Sequence, residues 1–150
     1  MSHTYSQLYY HLVWSTNERK PIIHDSFKES LYEYLRGGIQ QERGLLLKMG
    51  GVADHVHLLV ALEPHCSLAK FVQNIKISSS KWVSKNIPKC HNGFWQKGYG
   101  AFSVSSSQKL KVAKYIENQE YHHAKHSFKD EFLMLLRNHN VPFDEKYLWK

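Results

Sequence analysis

Two histidines stand one residue apart where an apolar run begins, at His55 and His57 of DHVHLLVAL. Because the side chains of a strand alternate between its faces, both imidazoles share one face, about 6 to 7 Å apart at the backbone, while Val56 and Leu58 face the core. Two imidazoles on one rigid strand can chelate a divalent ion, although two half-exposed sheet histidines would explain the same pair. A metal site needs more ligands, and the strand offers no Asp or Glu as a third.

The segment KYIENQEYHHAKH, residues 114 to 126, is the best source of further ligands. At about 100° per residue of helix, Tyr115 and Gln119 lie about 40° apart, and His122 and His126 fall in the same sector. The opposite side carries residues that are better placed to pack: Leu110, Ala113, Tyr121 and Ala124. The spacing therefore favours Tyr115 over Tyr121 as the tyrosine with a chemical role.

Four strands and four helices are predicted to position these residues. The strands are predicted at 6–17, 44–52, 55–62 and 93–105, and the helices at 25–43, 67–86, 106–126 and 127–139. Ser67 and Ser127 are typical N-caps of the second and fourth helices. The order β-α-β-β-α-β predicts an α+β fold of the ferredoxin-like (RRM-like) type, an antiparallel sheet with helices on one face and extra C-terminal helices that carry Tyr115.

The composition indicates one folded domain, residues 1–150, with a basic surface. Lys and Arg outnumber Asp and Glu by 20 to 13, which gives a net charge of +7 and favours a polyanionic partner, nucleic acid above all. Cys66 and Cys90 lack CxxC spacing, so neither a disulfide framework nor a cysteine zinc site is indicated. A bilayer-spanning apolar stretch and the features of a signal peptide are both missing from the sequence, so a cytoplasmic location is expected.

Three motifs in this order, DHVHLLV, FWQKGYGAFSVS and YIENQ, resemble those of the HUH-type single-tyrosine (Y1) transposases, the insertion-sequence-200-like family. The resemblance runs over nearly the whole chain. It implies that His55, His57 and Gln119 bind a divalent metal, Mg²⁺ or Mn²⁺, and that Tyr115 is the nucleophile that forms a 5′-phosphotyrosine when DNA strands are cut and rejoined. Such an exchange keeps the phosphoester bond and needs no ATP, which agrees with the absence of a GxxxxGK[ST] loop.

The resemblance also implies the partners. These are single-stranded DNA with hairpins near the element ends and a second copy of the chain, in a homodimer whose active sites can be shared between subunits. Two alternatives stay open: a domesticated repeat-associated transposase acting on chromosomal palindromes, and a non-catalytic module that binds single-stranded nucleic acid through sheet aromatics such as Tyr9 or Tyr10. The general base is not identified. Family resemblance gives no role to three further histidines, which are interpreted as DNA-facing or incidental: His122, His123 and His126.

Overall fold

The computed structural model describes residues 3–90 and 93–149, which fold around a four-stranded sheet. The strands are β1 (Tyr9–Ser15), β2 (Leu45–Val52), β3 (His55–Ala61) and β4 (Gly100–Val104). They lie in the order β2-β3-β1-β4, and each neighbouring pair is antiparallel. This topology confirms the predicted ferredoxin-like α+β fold.

Helices follow the strands in the predicted order. They are α1 (Asp25–Gln41), α2 (Leu68–Asn86), α3 (Lys109–Glu117), α4 (Gln119–His123), α5 (Phe128–Asn138) and α6 (Glu145–Leu148), with short 3₁₀ turns at Asn17–Arg19 and Ser106–Gln108. Both predicted caps are confirmed, because the side chains of Ser67 and Ser127 accept hydrogen bonds from the backbone N–H groups of Lys70 and Asp130. Within the described ranges, every helix is too short or too polar to cross a bilayer.

One face of the sheet and the helices α1 and α2 enclose the larger core. The strands β1 and β3 bury Leu12, Trp14, Val56 and Leu58 in it, all without solvent exposure. The apolar residues of α1, spaced four apart, pack against them: Phe27, Leu31, Leu35 and Ile39. Each large apolar side chain buried in this way stabilises the fold by about 1.5–3 kcal/mol. This core therefore fixes β3, and with it the direction in which His55 and His57 point.

The other face of the sheet is covered by α3 and α5. Leu59 of β3 packs with Ile116 of α3, and Val13 of β1 packs with Phe128 and Phe132 of α5. Helices thus lie on both faces, whereas the element order predicted a sheet covered on one. The reason is that β1 and β3 carry apolar side chains on both faces, and each apolar face must be buried against another element.

The segment that carries Tyr115 is divided where one long helix was predicted. The helices α3 and α4 are separated at Asn118, whose φ and ψ are −93° and 23°. Leu110 and Tyr121 are 78% and 72% exposed, so the prediction that they pack is wrong. Instead, α3 packs the side with Ile116 against the sheet. The prediction counted 100° per residue along one helix as far as residue 126, and the break at Asn118 ends that regular spacing.

The fourth strand is shorter than the predicted 93–105. Gly93 and Gly98 adopt φ of 77° and 80°, a region that residues with a Cβ rarely occupy, and a regular strand begins only at Gly100. Between them, Trp95 makes an isolated bridge to Thr16 at the end of β1. The segment therefore closes one edge of the larger core before β4 pairs with β1.

Candidate metal centre and active site

The strand β3 directs both of its histidines to the face covered by α3 and α5. His57 pairs with Val13 of β1 on one side and with Gly50 of β2 on the other. Both imidazoles are completely buried, so the interpretation of His55 and His57 as half-exposed sheet residues is wrong. Buried polar rings in the middle of an apolar layer require hydrogen-bond or metal partners.

The common partner of the imidazoles is Glu131 of α5, which is itself buried. The Nε2 atoms of His55, His57 and His123 lie 3.2, 3.0 and 3.0 Å from Oε1 of Glu131. One donor atom from each of these four residues lies within 4.8 Å of the other three. Imidazole nitrogens and a carboxylate oxygen are common ligands of divalent ions, so this cluster can hold a metal.

The outward nitrogens of the two strand histidines have partners of their own. Nδ1 of His55 lies 2.7 Å from Oδ1 of Asp54, in the turn before β3, and Nδ1 of His57 lies 2.7 Å from Nε2 of His11 on β1. Contacts of this kind fix the orientation of an imidazole ring and leave the opposite nitrogen free to act as a ligand. Here they direct both Nε2 atoms toward Glu131.

Tyr115 and Gln119 reach the same cluster from α3 and α4. The buried Gln119 places its Oε1 2.9 Å from Nε2 of His55 and donates from its Nε2 to Oε2 of Glu131 at 3.0 Å. The hydroxyl of Tyr115 donates to the same Oε2 atom. The structure thus brings His55, His57, Tyr115 and Gln119 together, and it does so within one chain.

Sequence reasoning misses two members of the cluster, and it groups one histidine with Tyr115 that lies outside it. Glu131 is not among the predicted residues, and the interpretation of His123 as DNA-facing or incidental is corrected by its contact with Glu131. His122 lies at the edge, with Nε2 3.6 Å from Oε2 of Glu131, whereas His126 is exposed and stacks on His122. His126 therefore shares a sector with Tyr115 on the helical wheel but lies outside the cluster.

A sequence signal for Glu131 does exist. The buried side of α5 is formed by Phe128, Glu131, Phe132, Leu135 and Leu136. A single carboxylate in an otherwise apolar helical stripe indicates a buried charge with a specific partner, because an unpaired charge there would be too costly. The pattern identifies the residue but not the histidines that it meets.

The histidines differ in charge because their surroundings differ. Burial alone would lower the pKa of His55, but its hydrogen bonds to Asp54 and Glu131 prevail and raise it to about 9. Burial lowers the pKa of His57 to about 4, and burial together with repulsion from His57 lowers that of His11 to about 3. His57 and His11 are therefore neutral at pH 7, and a neutral imidazole is the form that binds metals.

The two acidic groups of the site shift in opposite directions. Burial would raise the pKa of Glu131, but hydrogen bonds from His123, His55 and His57 hold it far below its usual range. Burial and the nearby Glu131 carboxylate raise the pKa of the Tyr115 hydroxyl above its usual range. Glu131 is thus ionised and Tyr115 protonated in the metal-free protein, which agrees with a hydrogen bond donated by the phenol.

A cleft of about 560 Å³ opens beside the ring of Tyr115, between β4, α3 and α5. Its lining combines apolar side chains with polar groups that suit a nucleotide, among them His11, Ser105, Gln108, Lys111 and Asn138. The cleft gives an extended substrate a path to the phenol from outside the protein.

The sequence model of the family described as Transposase IS200 like matches residues 4–119. The matched segment contains His55, His57, Tyr115 and Gln119, and it spans most of the chain. The chain therefore belongs to the IS200-like transposase family, which confirms the resemblance carried by the three motifs. Two members of the cluster, His123 and Glu131, lie beyond the matched segment.

Individual relatives agree with this assignment. The chain is 29% identical to the ISDra2 transposase TnpA of Deinococcus radiodurans over 119 residues, 75% of this chain and 84% of the relative. It is 23% identical to the transposase for insertion sequence element IS200 of Salmonella typhimurium over 124 residues, 79% of this chain and 81% of the relative. Both relatives are named as transposases, in agreement with the description of the family.

Two solved structures share the fold. A candidate transposase from Deinococcus radiodurans R1 superposes with a TM-score of 0.65 at 27% identity, covering 79% of this chain and 95% of the other. A REP-associated tyrosine transposase bound to a REP hairpin has a TM-score of 0.65 at 11% identity, covering 82% of this chain and 73% of the other. At 11% identity the second likeness shows the fold alone.

Proposed function

We propose that this protein is a single-stranded DNA transposase that cuts and rejoins strands through a 5′-phosphotyrosine on Tyr115. One observation carries the proposal. In a chain of the IS200-like family, the hydroxyl of Tyr115 and the Nε2 atoms of His55 and His57 all contact the one buried carboxylate of Glu131.

The reaction begins at the phenol oxygen of Tyr115. This oxygen bonds to phosphorus, the bond from phosphorus to the neighbouring 3′ oxygen breaks, and the proton that the phenol loses is balanced by the one that the 3′ oxygen gains. Attack by the 3′-hydroxyl of another strand end reverses the step and frees the tyrosine, so that cutting and rejoining need no ATP.

The buried cluster prepares the site for a charged phosphate. His55, His57 and Gln119 would hold a divalent ion, Mg²⁺ or Mn²⁺, which would supply Lewis-acid neutralisation of the phosphate oxygens. The carboxylate of Glu131 accepts the hydrogen bond of the Tyr115 hydroxyl and so holds the phenol oxygen beside the strand histidines. A nucleophile held in position has less orientational freedom to lose on reaction.

Single-stranded DNA is the substrate that the surroundings of the site support. The cleft beside Tyr115 carries Lys111 for a phosphate and amide or hydroxyl groups for a base. The net charge of +7 favours attraction of DNA from solution. The structural neighbour that is bound to a REP hairpin supports the expectation that hairpins in the strand are recognised as well.

The alternative of a non-catalytic binding module is less well supported. Such modules stack bases on aromatic residues of an open sheet face. In the described part of this chain α1 and α2 cover one face and α3 and α5 the other, and Tyr9 and Tyr10 are half-buried. Bases stacking on this sheet would first have to displace helices.

We infer further that the site assembles from residues of a single chain. The resemblance implies a homodimer that can share its sites, but Tyr115 already contacts the partners of His55 and His57 within one chain. Mixing Tyr115→Phe with His57→Ala protein should therefore restore no activity. Restored adduct formation in the mixture would show that the sites are shared between subunits.

The nucleophile is tested by covalent capture. The probe is an end-labelled single-stranded oligonucleotide carrying the palindromic DNA that flanks the coding region, incubated with Mn²⁺ or Mg²⁺. Wild type and Tyr121→Phe, whose ring is largely exposed, are expected to form a denaturant-resistant adduct, whereas Tyr115→Phe is not. An adduct that persists in Tyr115→Phe and disappears in Tyr121→Phe would overturn the assignment. Binding without any adduct from wild type would favour the binding module.

A further inference from the structure

Two cations lie against one indole ring directly after α6. The guanidinium carbon Cζ of Arg19 is 5.2 Å from the centroid of the Trp149 ring, and Nζ of Lys129 is 5.1 Å from the centroid of the same ring. An indole attracts cations that lie within about 6 Å of its centroid. Because like charges repel each other, the gathering of two cations at one ring calls for a further explanation.

Neither of these cations is neutralised by an acidic side chain. In the part of the chain that the structure describes, Arg19 and Lys129 form no ion pair, whereas Lys20 in the same turn as Arg19 pairs with Glu18 at 3.2 Å. Unbalanced Arg and Lys side chains bind phosphate groups through charge-assisted hydrogen bonds. Arg19, Lys129 and Trp149, called the basic patch below, therefore have the chemistry of a phosphate-binding surface.

The turn that carries Arg19 is held in a conformation that costs energy. Glu18 and Arg19 have φ of 56° and 58°, in the left-handed region that residues with a Cβ rarely adopt. The N–H of Thr16 donates to the carbonyl of Asp54 at 2.9 Å, and the hydroxyl of Thr16 donates to the carbonyl of Lys20 at 2.6 Å. Such strain persists where the surroundings impose it, and it is concentrated at functional sites. Arg19 is thus carried by a turn that is bonded to the start of β3.

The basic patch and the cleft beside Tyr115 lie toward opposite ends of β1. The strand ends at Ser15, which pairs with His55, and the turn with Arg19 follows directly. The cleft includes His11, near the beginning of the strand. The 7 residues of β1 span about 23 Å. A strand of DNA that leaves the cleft along β1, past the strand histidines, therefore reaches the basic patch.

We propose that the basic patch binds the phosphate backbone of the single-stranded DNA that extends from the Tyr115 cleft past the strand histidines. The inference rests on the proposed function, which places the strand in that cleft. The ring of Trp149 holds Arg19 and Lys129 in place, and each cation donates hydrogen bonds to one phosphate group. The contact is independent of base sequence, because phosphates carry no sequence information. Lys129 and Trp149 lie beyond residues 4–119, the segment that the family model matches.

The test measures DNA binding by fluorescence anisotropy at a series of KCl concentrations. The probe is a labelled oligonucleotide that carries the palindromic DNA flanking the coding region, with a single-stranded extension on each side. All proteins carry Tyr115→Phe, so that no adduct forms. Each phosphate contact to a single strand contributes about 0.7 to the slope of log K against log salt. Arg19→Gln and Lys129→Gln should therefore each lower the magnitude of the slope by about 0.7, and the affinity in about 0.1 M KCl by about fivefold.

Matched variants control for charge and for folding. Lys20→Gln removes the same charge from the same turn, but Lys20 is already paired with Glu18, so affinity and slope should equal those of the parent protein. Arg19→Lys keeps the charge and should keep the slope. Trp149→Leu should weaken binding more than Trp149→Phe, which retains an aromatic face for the cations. Urea denaturation checks that every variant is folded. Equal losses in Lys20→Gln and Arg19→Gln would show a general effect of charge and overturn the basic patch.

A second probe distinguishes the single strand from the hairpin. It carries the palindrome without the extensions, and the parent protein and Arg19→Gln should bind it equally. The same loss on this probe would assign the phosphates to the hairpin stem and overturn the single-strand contact.

The remaining outcomes separate the basic patch from the proposed function. Parental affinity and slope in both Arg19→Gln and Lys129→Gln on the extended probe would overturn the basic patch, while an adduct on Tyr115 of wild type would leave the proposed function standing. Failure of the parent protein to bind either probe would overturn the single-stranded substrate of the proposed function together with the basic patch.

Discussion

The helix that carries Tyr115 lies directly on the backbone of β2 at Gly50, the residue that pairs with His57. A Cβ added at Gly50 would lie less than 3.0 Å from the carbonyl oxygen of Ile116 and 3.2 Å from its Cγ2 atom. Because a backbone oxygen cannot rotate away as a side chain can, Gly50→Ala is expected to displace α3 and, with it, the adjacent Tyr115.

The size of the effect follows from the overlap. Ordinary van der Waals contact begins at 3.4 Å, so α3 must move by more than 0.4 Å from a position below 3.0 Å. Overpacking costs about 1–3 kcal/mol of stability. Misplacing a reacting group by about 1 Å costs on the order of a hundredfold in rate. We therefore expect Gly50→Ala to lose about 1–3 kcal/mol in its free energy of unfolding and about tenfold to a hundredfold in the rate of adduct formation.

Urea denaturation measures the first quantity, and single-turnover adduct formation with saturating DNA measures the second, at a temperature where both proteins are folded. The matched control is Gly37→Ala in α1, where an added Cβ meets nothing within 4 Å. It should stabilise the fold by about 0.5–1 kcal/mol and leave the rate unchanged. Wild-type stability and rate in Gly50→Ala would refute the close approach. Lower stability with an unchanged rate would show that the position of Tyr115 does not depend on it.

Two further predictions concern α2. Ser79→Ala removes the buried acceptor that the indole N–H of Trp95 uses at 2.8 Å, and should lower the free energy of unfolding by about 1–3 kcal/mol. Ser84→Ala on the exposed side of the helix should change it by less than about 0.5 kcal/mol, and equal losses in urea denaturation would contradict the prediction. Burial lowers the pKa of Lys76 from 10.5 to about 8, so between these pH values the unfolded chain holds a proton that the folded chain has lost. The free energy of unfolding of wild type relative to Lys76→Met should therefore rise with pH over that window, and a difference independent of pH in urea titrations would count against it.

Local periodicity is what made the fold predictable. Because side chains alternate along a strand, the apolar Val56 and Leu58 assign the histidines to the opposite face of β3. This assignment does not depend on what packs against either face. The division of the helix at Asn118 has no comparable signal, because the residues on both sides are acceptable in a helix. The periodicity supports a single helix over 106–126. Because the helix is divided at Asn118, the prediction that Tyr121 packs against the protein is wrong as well.

Only part of the candidate site could be predicted from local sequence patterns. His55 and His57 lie on one strand, and Tyr115 and Gln119 are one turn apart, so each pair is visible in a short window. Glu131 is 74 residues from His57 in sequence and meets it only because α5 packs on the sheet. Contacts of that range depend on how helices dock on the second sheet face, and no local period encodes them.

The members of the cluster are all polar side chains at buried positions where the local pattern predicts apolar ones. Each is a polar residue where its own element calls for an apolar one: two imidazoles in a fully buried strand, an amide buried in α4, and Glu131 in the apolar stripe of α5. Each buried polar group is satisfied by the others, since Glu131 accepts from Tyr115 and Gln119 and faces His55 and His57. Placed separately, every one of them would destabilise its element. That such exceptions from separate elements converge on one point is the reason to read the cluster as a site built for chemistry and not as a defect of the core.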